Sequence, residues 1–265
     1  MPVQNLFIIS DLEGAHSVTR FSQTRRPVSA LERARHLHTA QVNAMVRGIR
    51  EFNPQIRVHL WDSHGNGGIC RDDLDDVYAF LPHGWIHLAD YFKSQKIDAL
   101  FFESAHAMSR TPHANLCHTM SSQRVKRYVL NGHDVGEIGL RSAIAGSVNV
   151  PVLYLNGDDK ACAEAQAIMP WIVTTTIKIS TGLQTAKELP RDAIMATIAS
   201  DVARALQQFP ASRPYSILTP VQLAILLRWP YALMRKAKTL FMRSCREPLL
   251  FEAPSIITLV NKKIL

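Results

Sequence analysis

The stretch Asn5–Ser17 reads NLFIISDLEGAHS and combines a buried strand with two acidic residues. The apolar run Leu6–Ile9 has the length and composition of a strand inside a sheet. Asp11 and Glu13 follow it, two positions apart, where the chain leaves that strand. Buried carboxylates are costly unless a positive partner holds them. The sequence therefore predicts a central strand that leads directly into a site containing a positive charge.

Strand-like and helix-like segments alternate along most of the chain. An alternation of this kind predicts an α/β fold, with a mostly parallel central sheet flanked by helices and a smaller C-terminal α+β region. The spacing of apolar residues in 221–238 favours a helix kinked at Pro230, and 254–265 is expected to form a terminal helix. We predict a metal-binding α/β catalytic domain over residues 1–170. A smaller, basic C-terminal domain over 171–265 would then contribute to an oligomer interface.

Length and composition restrict the kind of protein. The chain has 265 residues, of which 47% are hydrophobic, enough for one large or two small domains. The N-terminus lacks the cationic start of a signal peptide, and no apolar run is long enough to predict a membrane span. The four cysteines show no CxxC spacing, which favours reduced thiols. These features predict a cytoplasmic protein.

Positive charge is concentrated near the C-terminus. The net charge is +8, and residues 211–265 contain nine Lys and Arg against two Glu. Such a segment can bind nucleic acid, anionic lipid, an acidic substrate or an acidic subunit face, or it can be a solvated surface. No nucleic-acid-binding motif is recognisable, so a nucleic-acid partner is not expected.

Polar residues that suit metal binding follow each of the first three predicted strands. Open α/β sheets bind ligands at the carboxyl ends of their strands. Asp11 and Glu13 follow the first strand, His64 the second and His106 the third, while His118 and Glu137 come later in the chain. Carboxylates and imidazoles together suit Zn²⁺ or a similar divalent ion. Three carboxylates and two histidines are sufficient for two ions if one carboxylate bridges them.

Six phrases of the sequence occur in an order that resembles a known enzyme family. They are SDLEG, WDSHG, ESAHAMSRTP, CHTM, LNGHDVGEIGL and VPVLYLNGDD, spread over about residues 5–180. In this order they resemble the zinc-dependent D-aminopeptidases of bacterial dipeptide-transport operons. The resemblance implies a two-zinc α/β enzyme that removes the N-terminal residue from short peptides containing D-amino acids, such as those from peptidoglycan. It also implies assembly into a ring-shaped decamer that encloses the active sites.

Site residues carry over from this resemblance by position. The implied metal ligands are Asp11, Glu13, His64, His106 and Glu137. Asp11 would bridge the two ions, Glu13 and His64 would complete one site, and His106 and Glu137 the other. His118 matches the catalytic histidine that is not a ligand, acting either as nucleophile or as proton donor. No organic cofactor is implied.

Three alternatives remain open at this point. Cys117, beside His118, stands where a serine is more usual and could indicate a cysteine hydrolase. The chain could also be a related metal-dependent hydrolase that acts on other amides. Finally, it could be a non-catalytic binding protein that uses its basic C-terminal segment.

Overall fold

The computed structural model describes residues 2–25, 28–229 and 248–261. Eleven strands and six α-helices are present in these ranges. The strands are β1 (Asn5–Ser10), β2 (Arg57–Asp62), β3 (Ala79–Leu81), β4 (Ala99–Ala105), β5 (Val125–Leu130), β6 (His133–Val135), β7 (Val152–Asp158), β8 (Val173–Gly182), β9 (Thr185–Glu188), β10 (Val221–Leu227) and β11 (Leu249–Ala253). The helices are α1 (Val28–Phe52), α2 (Leu88–Gln95), α3 (Glu137–Gly146), α4 (Asp159–Ile168), α5 (Arg191–Gln207) and α6 (Ile256–Asn261).

A seven-stranded sheet forms the centre of the protein, with the strand order β3-β2-β1-β4-β7-β8-β9. All neighbours pair in parallel except β8 and β9, which are antiparallel. Every residue of β1 is buried, as its unbroken apolar run predicts. The predicted α/β class with a mostly parallel sheet is confirmed.

Alternating side chains of β1 enter two separate cores, because successive residues of a strand point to opposite faces. Leu6 and Ile8 pack with the apolar sides of α1 and α5. Phe7 and Ile9 pack on the other face with α2, α3 and α4. Both faces of the sheet are therefore covered, and polar side chains at its carboxyl edge are held by a rigid frame.

A second, four-stranded antiparallel sheet has the order β11-β10-β5-β6. Its hairpin β5–β6 turns at Asn131 and Gly132, whose φ angles are 49° and 83°. Positive φ at both central residues is the type I′ geometry that an Asn-Gly pair favours. This hairpin delivers the chain to the start of α3, the helix that begins with Glu137.

The predicted helix over residues 221–238 is wrong for its first part, because Val221–Leu227 forms β10. Val221, Leu223 and Ile225 are buried and alternate with more exposed residues, the period of a strand. An apolar run this short satisfies a helical period and a strand period almost equally well. Residues 230–238 lie outside the described part of the chain, as do seven of the nine basic residues counted in 211–265.

The boundary expected between residues 170 and 171 does not separate the two sheets. β8, beyond this boundary, pairs with β7, and β5, before it, pairs with β10. The segments 1–170 and 171–265 therefore contribute strands to the same sheets. Their division into two domains stays a prediction.

None of the helices in the described ranges is long and apolar enough to cross a membrane.

Candidate metal centre

The six site residues predicted from the sequence come together at the carboxyl edge of the central sheet. β2, β1 and β4 are adjacent, so the chain segments that follow them meet at one place. The side chains have their ionisable groups within a buried cluster, and each residue is less than a tenth exposed. A cleft of about 510 Å³ opens above them. The members of the cluster are Asp11, Glu13, His64, His106, His118 and Glu137.

The distances within this cluster fit ligands of shared ions better than direct hydrogen bonds. His64 Nε2 lies 3.4 Å from Glu13 Oε1. His106 Nε2 lies 3.5 Å from both Asp11 Oδ2 and Glu137 Oε1. Nitrogen and oxygen ligands about 2.0–2.1 Å from one zinc ion, at a tetrahedral angle, are about 3.3–3.4 Å apart. A charge-assisted hydrogen bond would instead close to about 2.7–2.9 Å.

The orientation of His106 supports the same interpretation. Its Nδ1 lies 3.0 Å from the carbonyl oxygen of Ala107, which can only accept a hydrogen bond, so Nδ1 carries the proton. In the neutral ring, Nε2 then directs its lone pair at Asp11 and Glu137. A lone pair facing two carboxylates is unfavourable unless a cation lies among them. A backbone carbonyl that fixes the tautomer in this way is typical of a metal-binding histidine.

Two buried polar atoms of the cluster also lack partners in the described residues. They are Glu13 Oε2 and His64 Nδ1. Buried polar groups are nearly always satisfied, and an unsatisfied one calls for an explanation such as an ion or water. The donor set of carboxylate oxygens and imidazole nitrogens fits a divalent ion such as zinc. The residues present therefore fit a metal centre.

In the absence of an ion, protonation partly neutralises this cluster. Burial alone would lower the pKa of His64, but the Glu13 carboxylate raises it to about 9. Burial raises the pKa of Asp11 to about 7, and the negative charge of Glu13 adds to this effect. Burial opposes ionisation of His106 as well, yet the facing Glu137 raises its pKa well above the usual value. The raised pKa values of His64 and His106, and in part that of Asp11, thus reflect an excess of negative charge that a metal ion would offset.

Glu137 is held from behind by an arginine one helical turn further along α3. Arg141 Nη2 lies 2.7 Å from Glu137 Oε2, and the backbone N–H of Met120 donates to Glu137 Oε1 over 2.8 Å. Burial would raise the pKa of Glu137, but Arg141 outweighs it and keeps the pKa below its usual range. Arg141 also donates to Ser63 Oγ over 3.0 Å, next to His64. One guanidinium thus joins the segment that carries His64 to the helix that carries Glu137.

Gly136 allows α3 to start at this position. A Cβ atom built there would lie 2.5 Å from Glu164 Oε1 and 2.6 Å from Met108 Cβ. The backbone of Gly136 therefore packs closely against Met108, in the segment that follows His106, and a side chain at this position would force Met108 or Glu164 to shift.

His118 stacks on His106, with ring centroids 4.0 Å apart and ring planes 11° apart. Its Nδ1 lies 2.8 Å from the carbonyl oxygen of Leu116, to which it must donate. Burial lowers the pKa of His118 to about 4, and His106 contributes to this shift. His118 is therefore neutral at pH 7, with the lone pair on Nε2. Such a group can accept a proton and return it.

The loop that carries Asp11 and Glu13 is held in place by Lys178, a residue that no motif in the sequence marks. Lys178 is fully buried, and burial lowers its pKa to about 8. Its Nζ donates to the carbonyl oxygens of Glu13 over 2.6 Å and Ala15 over 3.3 Å, and also to that of Val18. Hydrogen bonds from one buried lysine to three backbone carbonyls fix the path of this loop.

We expect Lys178→Met to lower the free energy of unfolding by about 3 kcal/mol, because three loop carbonyls lose a charged donor and stay buried. Urea denaturation of the metal-free protein measures this change. Lys160→Met is the matched control, since Lys160 is partly exposed and pairs with Asp159 at the surface. Equal stability of the two variants would contradict a supporting role for Lys178.

A second buried network supports the loop that carries His64. His38 Nε2 lies 2.5 Å from Glu103 Oε2, and its Nδ1 donates to the carbonyl oxygen of Gly68 over 2.8 Å. Asp62 accepts from the N–H groups of Gly68 and Ile69 at 2.9 Å and 3.2 Å. The Asp62 carboxylate therefore closes this loop. His38 lies on α1 and has no motif around it, so its part in the network was missed.

The thiol of Cys117 does not have the surroundings of a nucleophile. Burial raises its pKa, and Sγ donates to the carbonyl oxygen of Thr111 over 3.8 Å. Reactive cysteines have a lowered pKa instead. The geometry therefore disfavours the cysteine-hydrolase alternative.

The mostly parallel sheet and the carboxylates and imidazoles clustered at its carboxyl edge are typical of α/β proteins with a metal centre, and this chain belongs to that class. Within that class, the chain belongs to the D-aminopeptidase family, whose model matches residues 5–247. This match covers most of the chain and includes all six residues of the cluster.

Two relatives illustrate the likeness. A D-aminopeptidase of Bacillus subtilis (strain 168) is 38% identical over 77 residues, which make up 29% of this chain and 27% of that protein. The aligned part thus spans only about a quarter of the relative. A solved structure, the "Zn-dependent D-aminopeptidase DppA from Bacillus subtilis, a self-compartmentalizing protease", matches with a TM-score of 0.85. That match covers 98% of this chain and 97% of the other at 22% identity, and it supports the fold.

Proposed function

We propose that the protein is a zinc-dependent D-aminopeptidase that holds two metal ions in each chain. The observation that carries the proposal is the spacing of 3.4–3.5 Å between imidazole nitrogens and carboxylate oxygens in a buried cluster. Family membership supports the reaction class, and the zinc dependence of the matched B. subtilis enzyme supports the choice of metal.

The ligands we propose are those that the sequence predicts. Glu13 and His64 would hold one ion, and His106 and Glu137 the other. Asp11 would bridge them, because it approaches a member of each pair: Oδ2 lies 3.5 Å from His106 Nε2, and one ligand atom each of Asp11, Glu13 and His106 lie within 4.8 Å of one another. Zinc supplies Lewis-acid chemistry, which polarises a peptide carbonyl and makes water a better nucleophile at neutral pH.

His118 would be the general acid–base group. Its neutral ring and its proton on Nδ1 leave Nε2 able to accept the proton of an attacking water. The same nitrogen can then donate that proton to the amine that leaves when the peptide bond breaks. Leu116 holds the tautomer throughout, since its carbonyl accepts from Nδ1.

The substrates we propose are short peptides with an N-terminal D-residue, such as fragments of peptidoglycan. We also propose a homo-oligomer, a decamer by resemblance to the family, and a cytoplasmic location. The description of the matched B. subtilis structure as a self-compartmentalizing protease supports an assembly that encloses its active sites. The basic segment 211–265 would lie in the oligomer interface.

Metal analysis and a substrate panel test this function. We expect about two zinc ions per chain in the purified protein. We also expect hydrolysis of D-aminoacyl amides and D-dipeptides at rates at least ~10²-fold above those of the L-forms. A strict preference for L-residues would contradict the D-peptidase assignment and favour a related amide hydrolase. Absence of bound metal, even after zinc is supplied, would contradict the metal centre itself.

A further inference from the structure

The metal cleft contains a single strong cation among its described lining residues, and that cation is Arg25. Asp11, Glu13 and Glu137 line the same cleft, as does Ser122, to which Arg25 donates a hydrogen bond. The mechanism proposed above makes no use of this arginine.

Arg25 is positioned by two neutral groups. Its guanidinium lies over the ring of Phe21, 4.6 Å from the ring centroid. Its Nη2 donates to Ser122 Oγ. Within residues 2–25, 28–229 and 248–261, no carboxylate forms an ion pair with it. The guanidinium is thus oriented, carries its full charge and retains N–H donors for a planar anion.

The distance from Arg25 to the catalytic region matches the length of a short peptide. The Phe21 ring that carries the guanidinium also meets the His118 ring edge-on, with centroids 6.2 Å apart. Together with the 4.6 Å contact, this keeps the guanidinium within about 11 Å of the His118 ring. Extended peptide spans about 3.3–3.6 Å per residue. A tripeptide is thus about as long as this upper limit, and the carboxyl end of a short peptide cleaved beside His118 lies within the range of Arg25.

We propose that Arg25 binds the C-terminal carboxylate of the substrate, so that the enzyme prefers di- and tripeptides with a free carboxyl end over the corresponding amides. This inference rests on the proposed function, because it assumes that peptide lies across the metal centre. Arginine suits the role, since its planar fork binds a carboxylate through two parallel hydrogen bonds. The ring of Phe21 beneath the guanidinium and the hydrogen bond to Ser122 would hold the guanidinium in this orientation.

Binding to a protein that cannot turn over its ligand tests the proposal directly. The probes are D-alanyl-D-alanine and its C-terminal amide, titrated calorimetrically into the zinc-loaded His118→Ala protein. We expect the free acid to bind about 10–100-fold more tightly than the amide, as is typical of hydrogen bonds between charged groups. When Arg25→Met is combined with His118→Ala, the ratio of acid to amide affinity should fall to near one. When Arg25→Lys is combined with His118→Ala, part of this ratio should remain.

Arg47→Met is the control, because it removes one positive charge from an exposed pair with Asp75 far along α1. It should leave the ratio unchanged. Equal binding of acid and amide to the protein with Arg25 intact would overturn the proposal, as would an unchanged ratio in Arg25→Met. Failure of the wild-type protein to hydrolyse D-dipeptides would instead overturn the proposed function, and the binding ratio would still decide the role of Arg25.

Discussion

His118→Ala should lower kcat by about 10²–10⁴-fold while the protein keeps its full complement of metal. The reason is that His118 offers a neutral Nε2 above the cluster, whereas its Nδ1 is already engaged by Leu116. Removing this ring takes away the proton acceptor and donor but none of the proposed metal ligands. Steady-state kinetics on a D-dipeptide, together with metal analysis of the same preparation, measures both effects.

Two further variants separate this role from simple loss of packing. Free imidazole should restore part of the activity of His118→Ala, because the substitution leaves a space beside the ring of His106. His133→Ala removes an exposed histidine of β6 and should behave as the wild type. Cys117→Ser should also retain most activity, since the thiol is not activated. Full turnover by His118→Ala would contradict the assigned role, and its loss of metal would make His118 a ligand.

The central sheet and the placement of Asp11, Glu13, His64 and His106 at its carboxyl edge were predictable for the same physical reason, whereas His118 and Glu137 were assigned only by the family resemblance. Strand-length apolar runs alternating with helical patterns predict parallel strands, and parallel strands end at one edge. Polar residues placed directly after β1, β2 and β4 must therefore approach one another. Asp11, His64 and His106 carry this signal because each follows its strand within two positions.

The groups that support the cluster were harder to predict. Lys178 lies in the interior of β8, 160 to 165 positions after the loop residues that it contacts, and no local pattern distinguishes it from an exposed strand lysine. His38 is similar, because its partner Glu103 is 65 positions away. Such pairs are fixed by packing across the sheet, whereas sequence patterns report local geometry. Lys178 and His38 stand out only because burying a charged group is energetically costly, and their burial cannot be read from the sequence.

The strand β10 was mistaken for a helix for a related reason. Val221–Leu227 is one of four strands in the small sheet, and both of its pairing partners lie far away in the chain, at β5 and β11. Its β-branched residues Val221 and Ile225 favour a strand, but the surrounding leucines suit either structure. Tertiary pairing decided the outcome.

Asp11→Ala should remove both metal ions, because a bridging ligand belongs to both sites. The activity should fall by at least ~10³-fold, because each ion stabilises the transition state by several kcal/mol. The metal-free protein should not be destabilised by this change. Burial and the neighbouring Glu13 raise the pKa of Asp11 to about 7, so its carboxylate is unfavourable in the cluster without a cation. Zinc should therefore raise the melting temperature of the wild type but not that of Asp11→Ala.

Asp11→Asn gives the sharper version of this experiment. The amide oxygen can still accept from the N–H of Leu12, so the loop keeps its hydrogen bond while the bridging charge is lost. Asp75→Asn, at the exposed pair with Arg47, is the matched control and should retain two zinc ions. If Asp11→Asn bound two ions as tightly as the wild type, Asp11 would not bridge them, and the pairs Glu13–His64 and His106–Glu137 would have to hold their ions independently. If Asp11→Asn retained one ion, the ion that was lost would identify the ligand pair that depends on Asp11. We predict that this is the His106–Glu137 pair, because Asp11 Oδ2 lies 3.5 Å from His106 Nε2.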